Sequence, residues 1–286
     1  MISFRFHLVS IAGIFLALAL GIVLGTTVLN EATVNNLEGR IKSVRADIAT
    51  ARAERNHLKE FTDQVEAAAV AGRLDGVRIF TIVPEGASGD VRDRMRAALV
   101  TAGAIDAGTL TLDDKWADDS PPIDDIAAAL GVVGPISIES VTDAAAERLA
   151  ADFDAGSGTT LPALVEANFM RVEGTEPAAA PGAAARYVVI DDGPPAGLLE
   201  PLARALATKM PARVLVADAS ADDLVGESLV GVLRSEPDGA QFSTVDHIQT
   251  PPGRVTAILA LSDFGRGVIG DYGSDDSADR AAPAAA

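Results

Sequence analysis

The chain has 286 residues and a formal charge of −18, from 41 acidic and 23 basic side chains, and 48% of its residues are hydrophobic. It is long and apolar enough for a folded domain with accessory segments. The excess of acids argues against nucleic acid as a partner, because phosphate binding depends on lysine and arginine. Cysteine is absent, which excludes disulfides and thiolate chemistry.

The N-terminal segment is apolar: no side chain is charged from Leu8 to Leu29. A helix of that length spans about 33 Å, enough to cross a bilayer core. A cleaved signal peptide is the alternative, but its apolar region is usually only about 7 to 15 residues long. We therefore predict an uncleaved membrane anchor within residues 1–29. Small residues at every fourth position predict a dimer face between two membrane helices. This face consists of Gly13, Ala17, Gly21 and Gly25.

The flanks of this segment bear on its orientation. Arg5 precedes it, whereas Arg40, Lys42 and Arg45 follow it, so a strict count of positive charges favours an inward C-terminal part. A short basic tail before an apolar run is nevertheless the layout of a signal anchor. We predict a single pass through the inner (cell) membrane with residues 30–286 outside the cytoplasm, and the outer envelope is the alternative location.

Residues 30–72 carry apolar side chains at steps of three and four, the heptad pattern of a coiled coil. β-branched residues at the first core position and leucine at the second favour two parallel strands, so we predict a parallel homodimer in which Arg55 restricts the register. The alternative is a helix that lays this stripe on its own domain. The predicted interface is Val34, Leu37, Ile41, Val44, Ile48, Ala51, Arg55, Leu58 and Val65.

After Gly72 the pattern changes to alternating strands and helices. Near-continuous Val, Ile and Leu runs suit parallel strands buried on both faces. These runs are VRIFTIV (Val77–Val83), YVVID (Tyr187–Asp191) and RVLVAD (Arg213–Asp218). The segment FSTVDHIQTPPGR predicts a short strand and then a helix capped by Thr250. We predict a mostly parallel, Rossmann-like α/β domain over residues 75–270 and a disordered acidic tail over 271–286.

Motifs for ligands are few. GRGVIG at Gly265–Gly270 matches the dinucleotide pattern but follows a predicted helix instead of a strand, so we interpret it as a helix stop. PEGASG at Pro84–Gly89 has amides suited to an anion but lacks a Walker lysine, and a tight connection is the favoured interpretation. Asp191 and Asp192 end a strand at the edge where α/β ligands usually bind. They are the candidate ligand edge of the domain, although ordinary turn chemistry is favoured.

Catalytic and metal-binding patterns are lacking. His7, His57 and His247 lie far apart in the sequence, and so do the four methionines, so neither a catalytic triad nor a copper site is predicted. Six aspartates lack the spacing of a calcium-binding loop and are interpreted as a solvated acidic loop. They are Asp113, Asp114, Asp118, Asp119, Asp124 and Asp125. We predict a protein that is not an enzyme and holds no cofactor.

Four stretches resemble one actinobacterial family. They are the opening MISFRFHLVSIAGIFLALALGIVLG, the heptads after it, STVDHIQTPPGR at Ser243–Arg254, and YG at Tyr272–Gly273. The family is named for the mycobacterial copper transport protein MctB, and the resemblance covers nearly the whole chain. It implies copper transport in the outer envelope, with copper coming from this resemblance alone. Relatives called SteB imply a different role, as membrane-anchored partners of SteA that influence a peptidoglycan hydrolase in cell division.

These observations lead to two expected functions. We predict a dimeric extracytoplasmic scaffold that binds and positions a SteA-like membrane protein and an envelope peptidoglycan hydrolase. One membrane helix encloses no pore by itself, which is why this function is preferred to a channel. Copper transport or efflux across the envelope is the alternative.

Overall fold

The structure is a computed structural model that describes residues 4–116, 121–134, 137–174, 181–182, 184–193, 197–219, 228–235 and 241–284, with side chains from residue 6 to 25 and from residue 40 onward. The chain divides into two compact units, Met1–Phe61 and Thr62–Ala286.

The first unit belongs to a single helix, α1 (Phe4–Val70), whose last turns lie in the second unit. Within α1, Phe6–Gly25 is a 20-residue stretch of mean hydropathy 2.6, long and apolar enough to cross a membrane. Its side chains are exposed, as a lipid-facing surface would be. The structure therefore confirms one N-terminal apolar helix that qualifies as a membrane span.

The second unit is a mixed α/β domain. Its strands are β1 (Arg78–Pro84), β2 (Ile105–Leu112), β3 (Met170–Glu173), β4 (Arg186–Asp191), β5 (Val214–Asp218), β6 (Ser243–Val245) and β7 (Asp271–Tyr272). Its helices are α2 (Gly89–Thr101), α3 (Ile123–Leu130), α4 (Ile138–Ala155), α5 (Thr160–Glu166), α6 (Leu199–Lys209), α7 (Leu229–Ser235) and α8 (Pro251–Asp263).

Within the described residues, the strands form one seven-stranded sheet in the order β3-β2-β1-β4-β5-β6-β7. Every neighbouring pair is parallel except β2 and β3, which are antiparallel. The strand order reverses between β1 and β4, which is the position where open α/β sheets usually bind ligands. The mostly parallel α/β domain predicted from the sequence is confirmed in its class and in its first, fourth, fifth and sixth strands, whereas β2, β3 and β7 were not predicted.

Buried side chains cover both faces of the sheet. In β4, Tyr187 and Val189 belong to the core beneath α3 to α7, while Val188 and Ile190 belong to the core beneath α2 and α8. Val70, at the end of α1, is fully buried in the second of these cores. This alternation explains why the strands are nearly continuous runs of apolar residues.

The C-terminal segment differs from the prediction. A disordered tail was expected from residue 271, whereas Asp271 and Tyr272 form β7 and pair with β6. The amide of Gly273 donates to the carbonyl of Arg280 at 3.0 Å. A strand of two residues is too short to show the periodicity that marks strands in sequence. It forms by pairing its backbone with the backbone of β6 at the edge of the sheet.

Candidate functional site

The predicted dimer face of the membrane segment lies in the first unit. Among the described residues, nothing lies within 4 Å of a Cβ built on Gly13, Gly21 or Gly25. Ala17 lies in the same span of α1. Such a surface permits close approach of a second helix, and the pairing stays a prediction.

The predicted coiled-coil seam is exposed in the single chain wherever its side chains are described. In the first unit these exposed residues are Ile41, Val44, Ile48, Ala51, Arg55 and Leu58. Val65 belongs to the second unit and is half-exposed. The side chains of Val34 and Leu37 lie outside the described part of the chain. The seam is helical, as a coiled coil requires, and its pairing stays a prediction.

The end of α1 is held in the α/β domain by an ion pair. Glu66 accepts two hydrogen bonds from Arg254, one from Nε to Oε1 and one from Nη2 to Oε2, each 2.7 Å long. Both residues are buried, and Nη1 of Arg254 also donates to the carbonyls of Ile248 and Gln249. A buried pair in which all three guanidinium nitrogens are hydrogen-bonded is costly to break from one side.

The turn between β6 and α8 presents Arg254 to Glu66. Thr250 caps α8, since its hydroxyl accepts from the amide of Gly253 at 3.2 Å and donates to the carbonyl of His247 at 2.8 Å. Gly253 packs against that same carbonyl, which a Cβ at residue 253 would approach to 2.1 Å. His247 itself has φ of 57°. The capped helix predicted from FSTVDHIQTPPGR is thus observed. The turn before it requires glycine at residue 253, because the backbone of His247 lies too close for a Cβ.

A second network surrounds Asp246 at the end of β6. His247 Nδ1 lies 2.9 Å from Oδ1, the amide of Ser274 donates to Oδ1 at 2.9 Å, and Arg234 donates to Oδ2 at 3.0 Å. Burial alone would raise the pKa of Asp246, but the hydrogen bonds from His247, Ser274 and Arg234 outweigh burial and hold this pKa below its ordinary value. Arg234 also donates to the carbonyl of Tyr272 at 2.7 Å. The network therefore fastens the C-terminal segment to the sheet.

The same network contains a candidate metal-binding group among the described residues. Ligand atoms of Asp246, His247 and Asp275 lie within 4.8 Å of one another. An imidazole and two carboxylates suit a divalent transition metal. A metal ion here would compete with the guanidinium of Arg234 for Asp246. His247 thus meets Asp275, an acidic neighbour that sequence spacing did not reveal, whereas His7 and His57 lie in α1, in the other unit.

Asp191 lies at the carboxyl end of β4 and is only 2% exposed. Burial, followed by the negative charges of Asp192 and Asp218, raises its pKa to about 7, against the opposing effect of amide hydrogen bonds from Asp192 and Gly193. Its Oδ2 has no hydrogen-bond partner among the described residues. Asp191 and Asp218 are paired in register on β4 and β5, and burial raises the pKa of Asp218 as well. The sheet therefore brings two buried carboxyl groups together.

Asp192 joins two sequence features that were interpreted separately. Its Oδ2 accepts a hydrogen bond from the amide of Ser88, which immediately precedes α2. The turn PEGASG and the Asp191–Asp192 edge thus meet across β1 and β4, where the strand order reverses. The amide of Ser88, one of those considered for binding an anion, is therefore already bonded to the carboxylate of Asp192. This contact favours a tight connection at PEGASG over an anion site.

The acidic loop is only partly described, and Asp118 and Asp119 lie outside the described residues. Asp113 accepts from the amide of Lys115 at 3.1 Å, while Asp124 and Asp125 lie in the first turn of α3. Turn and helix-start positions are ordinary places for aspartate.

Sequence reasoning missed Glu66 and Arg234 and gave Arg254 no role. Glu66 and Arg254 are 188 positions apart, and no local pattern links them. The sequence shows only that Glu66 follows the seam residue Val65 and that Arg254 follows Gly253 in the capped segment. Neither position indicates an ion pair by itself.

Sequence comparisons with known proteins match nearly the whole chain to one family. A family model described as "Copper transport outer membrane protein, MctB" matches residues 1–283. The chain is 28% identical over 317 residues to "Copper transporter MctB" of Mycobacterium tuberculosis (strain ATCC 25618 / H37Rv), covering 97% of this chain and 98% of that protein. It is 27% identical over 311 residues to "Copper transporter MctB" of Mycobacterium leprae (strain TN), covering 96% of each. A solved structure, the catalytic subunit of M. Jannaschii aspartate transcarbamoylase, has 12% identity, coverage of 72% of this chain and 89% of that one, and a TM-score of 0.15, which is too low to support an argument.

Proposed function

This chain belongs to the MctB family, and from that premise we propose that it is a membrane-anchored envelope protein whose paired α/β domains bind and position a partner. The apolar stretch Phe6–Gly25 supports the anchor. The family description places such proteins in the outer membrane, whereas we propose an inner-membrane anchor with the domain outside the cytoplasm, because one apolar helix is the usual device of that membrane.

The observation that carries this proposal is the ion pair between Glu66 and Arg254. It makes the last turns of α1 part of the core of the α/β domain, where Val70 is also buried. The last turns of α1, which belong to the second unit, are thus packed in the domain. A domain that packs the end of its own N-terminal helix suits a protein in which that helix carries the domain.

Charges beside the seam support parallel pairing of two copies. In the predicted heptads Asp47 and Glu54 precede the core positions, and Arg52 and Lys59 follow them. In a parallel dimer, Asp47 would meet Arg52 of the second copy, and Glu54 would meet its Lys59. Arg40 would meet Arg45 of the second copy, which is unfavourable, so two attractive contacts oppose one repulsive contact.

The proposed partner is a SteA-like membrane protein together with an envelope peptidoglycan hydrolase, as the SteB resemblance implies. We propose no catalytic role for the domain. The test is crosslinking of the full-length chain in native membranes followed by mass spectrometry. We expect division or wall-hydrolase proteins to be recovered with the wild type and lost with a seam variant, Ile48→Glu combined with Leu58→Glu. Absence of such proteins from the wild-type sample would overturn the partner role.

Copper transport or efflux is the second candidate, favoured by the names of the relatives and by the group Asp246, His247 and Asp275. Copper would be cargo here, and the nearby Arg234 disfavours its retention. Titration of the full-length chain with Cu²⁺ tests this candidate. Stoichiometric binding that His247→Ala abolishes would support copper handling at this group, and absence of saturable binding would remove it.

A further inference from the structure

Two buried aspartates lie side by side at the carboxyl edge of the sheet. Asp191 and Asp218 are paired in register on β4 and β5, and each is 2% exposed. Val189 and Val216, two residues earlier on the same strands, lie in the core beneath α3 to α7. Because side chains alternate along a strand, both carboxyl groups lie on this same face, on backbones about 4.8 Å apart.

One oxygen of this pair has no bond. Asp191 accepts hydrogen bonds from the amides of Asp192 and Gly193, but its Oδ2 has no partner among the described residues. Buried polar atoms nearly always have a hydrogen-bond partner, so an unbonded one indicates a position where a ligand binds. A proton shared between Asp191 and Asp218 would need a hydrogen bond between the two side chains, whereas Asp218 acts on Asp191 through its charge and Oδ2 stays unbonded.

The neighbouring strand shows how a carboxylate at this edge is neutralised. Asp246, which follows β6, forms an ion pair with Arg234 at 3.0 Å. Among the described residues, by contrast, no lysine or arginine bonds to Asp191 or Asp218, and burial followed by the charges of nearby carboxylates raises the pKa of each. The hydroxyl of Ser228 donates to Asp218 but brings no charge. The described residues therefore give this pair no positive charge, and a bound cation would supply one.

We infer that Asp191 and Asp218 together bind a hard divalent cation, and that Mg²⁺ is the ion that suits them best. Carboxylate oxygens are ligands that Mg²⁺ prefers, and this ion is usually held by one or two carboxylates with water in its remaining positions. Ca²⁺ takes about six to eight oxygen ligands, which two side chains supply less readily. The site is separate from the group of Asp246, His247 and Asp275, whose imidazole suits a transition metal.

The surroundings of the pair suit a small ion. Gly193 follows Asp191 by two residues, and nothing described lies within 4 Å of a Cβ built there. The pair lies at the carboxyl edge of the sheet, and β4 is one of the two strands between which the strand order reverses. Open α/β sheets usually bind ligands at this edge. An ion here would join the ends of β4 and β5 and balance their charge.

The test uses the full-length chain in nanodiscs of zwitterionic lipid, treated with EDTA and then dialysed to remove the chelator. The probe is Mg²⁺ alone, with binding measured by calorimetry and by thermal unfolding. We expect saturable binding and an unfolding temperature that rises with the Mg²⁺ concentration, because an ion that binds only the folded state stabilises it.

Four variants separate this site from other carboxylates of the chain. Asp191→Asn and Asp218→Asn keep the side-chain shape but remove the charge, so we expect each to fold without metal and to bind Mg²⁺ about tenfold or more weakly, since even outer partners of a metal contribute that much to affinity. Asp93→Asn removes an exposed carboxylate of α2 and should bind like the wild type. His247→Ala alters the other candidate metal group and should also retain the affinity.

Three outcomes would overturn the inference. The first is that Mg²⁺ does not bind saturably, and the second is that Asp191→Asn or Asp218→Asn binds it as tightly as the wild type. The third is that His247→Ala or Asp93→Asn loses as much affinity as Asp191→Asn, which would mean that the ion binds elsewhere. These measurements involve no partner protein, so their failure would leave the proposed scaffold role standing.

Discussion

Glu66, in the last turns of α1, forms a buried bidentate ion pair with Arg254, in the first turn of α8. The two side chains are 11% and 3% exposed. This contact makes the end of the long helix inseparable from the core beneath α8, where Val70 and Ile258 are both fully buried.

Removing one partner of this pair should destabilise the α/β domain strongly. Glu66→Ala leaves the Arg254 guanidinium buried without its carboxylate, and we expect a loss of about 3–5 kcal/mol in the free energy of unfolding. Denaturant unfolding of the full-length chain measures it, with the fluorescence of Trp116, the single and buried tryptophan, as the probe. Arg94→Gln breaks the exposed pair with Asp90 and should cost less than about 1 kcal/mol. Equal effects of the two substitutions would contradict the structural role of Glu66.

The close packing of Gly253 should make it intolerant of a methyl group. Gly253→Ala places a Cβ 2.1 Å from the carbonyl oxygen of His247, so the turn or α8 has to shift, at a cost of about 1–3 kcal/mol or more. Gly193→Ala is the matched control, because nothing described lies within 4 Å of its Cβ position. Thermal unfolding compares the two variants. If Gly253→Ala proved as stable as Gly193→Ala, the described geometry of the β6–α8 turn would be wrong.

Stability should depend on pH through Asp191. Its pKa is raised in the folded state to about 7 from an ordinary 3.8, so between those values the folded protein retains a proton that the unfolded chain has released. Stability from this group is complete below about pH 4 and falls as the pH rises towards 7, by at most about 1.4 kcal/mol per pH unit.

Asp191→Asn removes this dependence, because the amide does not ionise. We expect the stability of the variant relative to the wild type to increase from about pH 4 to about pH 7 and then to level off, as measured by denaturant unfolding at a series of pH values. Asp93→Asn, on the exposed face of α2, should leave the pH profile unchanged. A wild-type profile that Asp191→Asn does not alter would show that Asp191 is ionised in the folded protein throughout this range.

The absence of cysteine allows a direct test of parallel pairing. Leu58→Cys places one thiol in the predicted seam, and in a parallel dimer the two thiols lie opposite each other, close enough for oxidation to a disulfide. Ala53→Cys places the thiol on the opposite side of the heptad and serves as the control. Non-reducing electrophoresis of oxidised native membranes should show a covalent dimer for Leu58→Cys only. Monomer alone, or equal dimer from both variants, would refute parallel pairing along this seam.

Much of the architecture was predictable because it rests on local patterns. The apolar span, the parallel strands at residues 78–84, 186–191 and 214–218, and the cap at Thr250 follow from hydropathy, from continuous apolar runs and from capping chemistry. The strand β2 was missed although it has eight residues, because Asp106, Gly108 and two threonines interrupt its apolar run. The strands β3 and β7 were missed because they are four and two residues long and are stabilised by pairing at the sheet edges. Periodicity over so few residues does not distinguish a strand from a loop.

The candidate sites were far less predictable than the elements that carry them. Asp191 and Asp192 were identified at a strand end, but the contact between Asp192 and Ser88 joins residues 104 positions apart. Asp191 likewise lies beside Asp218 only because β4 and β5 are neighbours in the sheet. Sequence periodicity does not specify which strands become neighbours, because that choice is made by packing of the whole chain.

By itself, the sequence determined the apolar span, the helical stripe, the type of domain and the position of each strand-ending aspartate, because these follow from side chains within a few residues of one another. Only the tertiary structure decided that Glu66 meets Arg254, that Asp191 is buried beside Asp218, and that Arg234 bonds to Asp246. Those contacts depend on the order of strands in the sheet and on which side chains are buried. Both are set by residues far apart in the chain, so no local pattern specifies them.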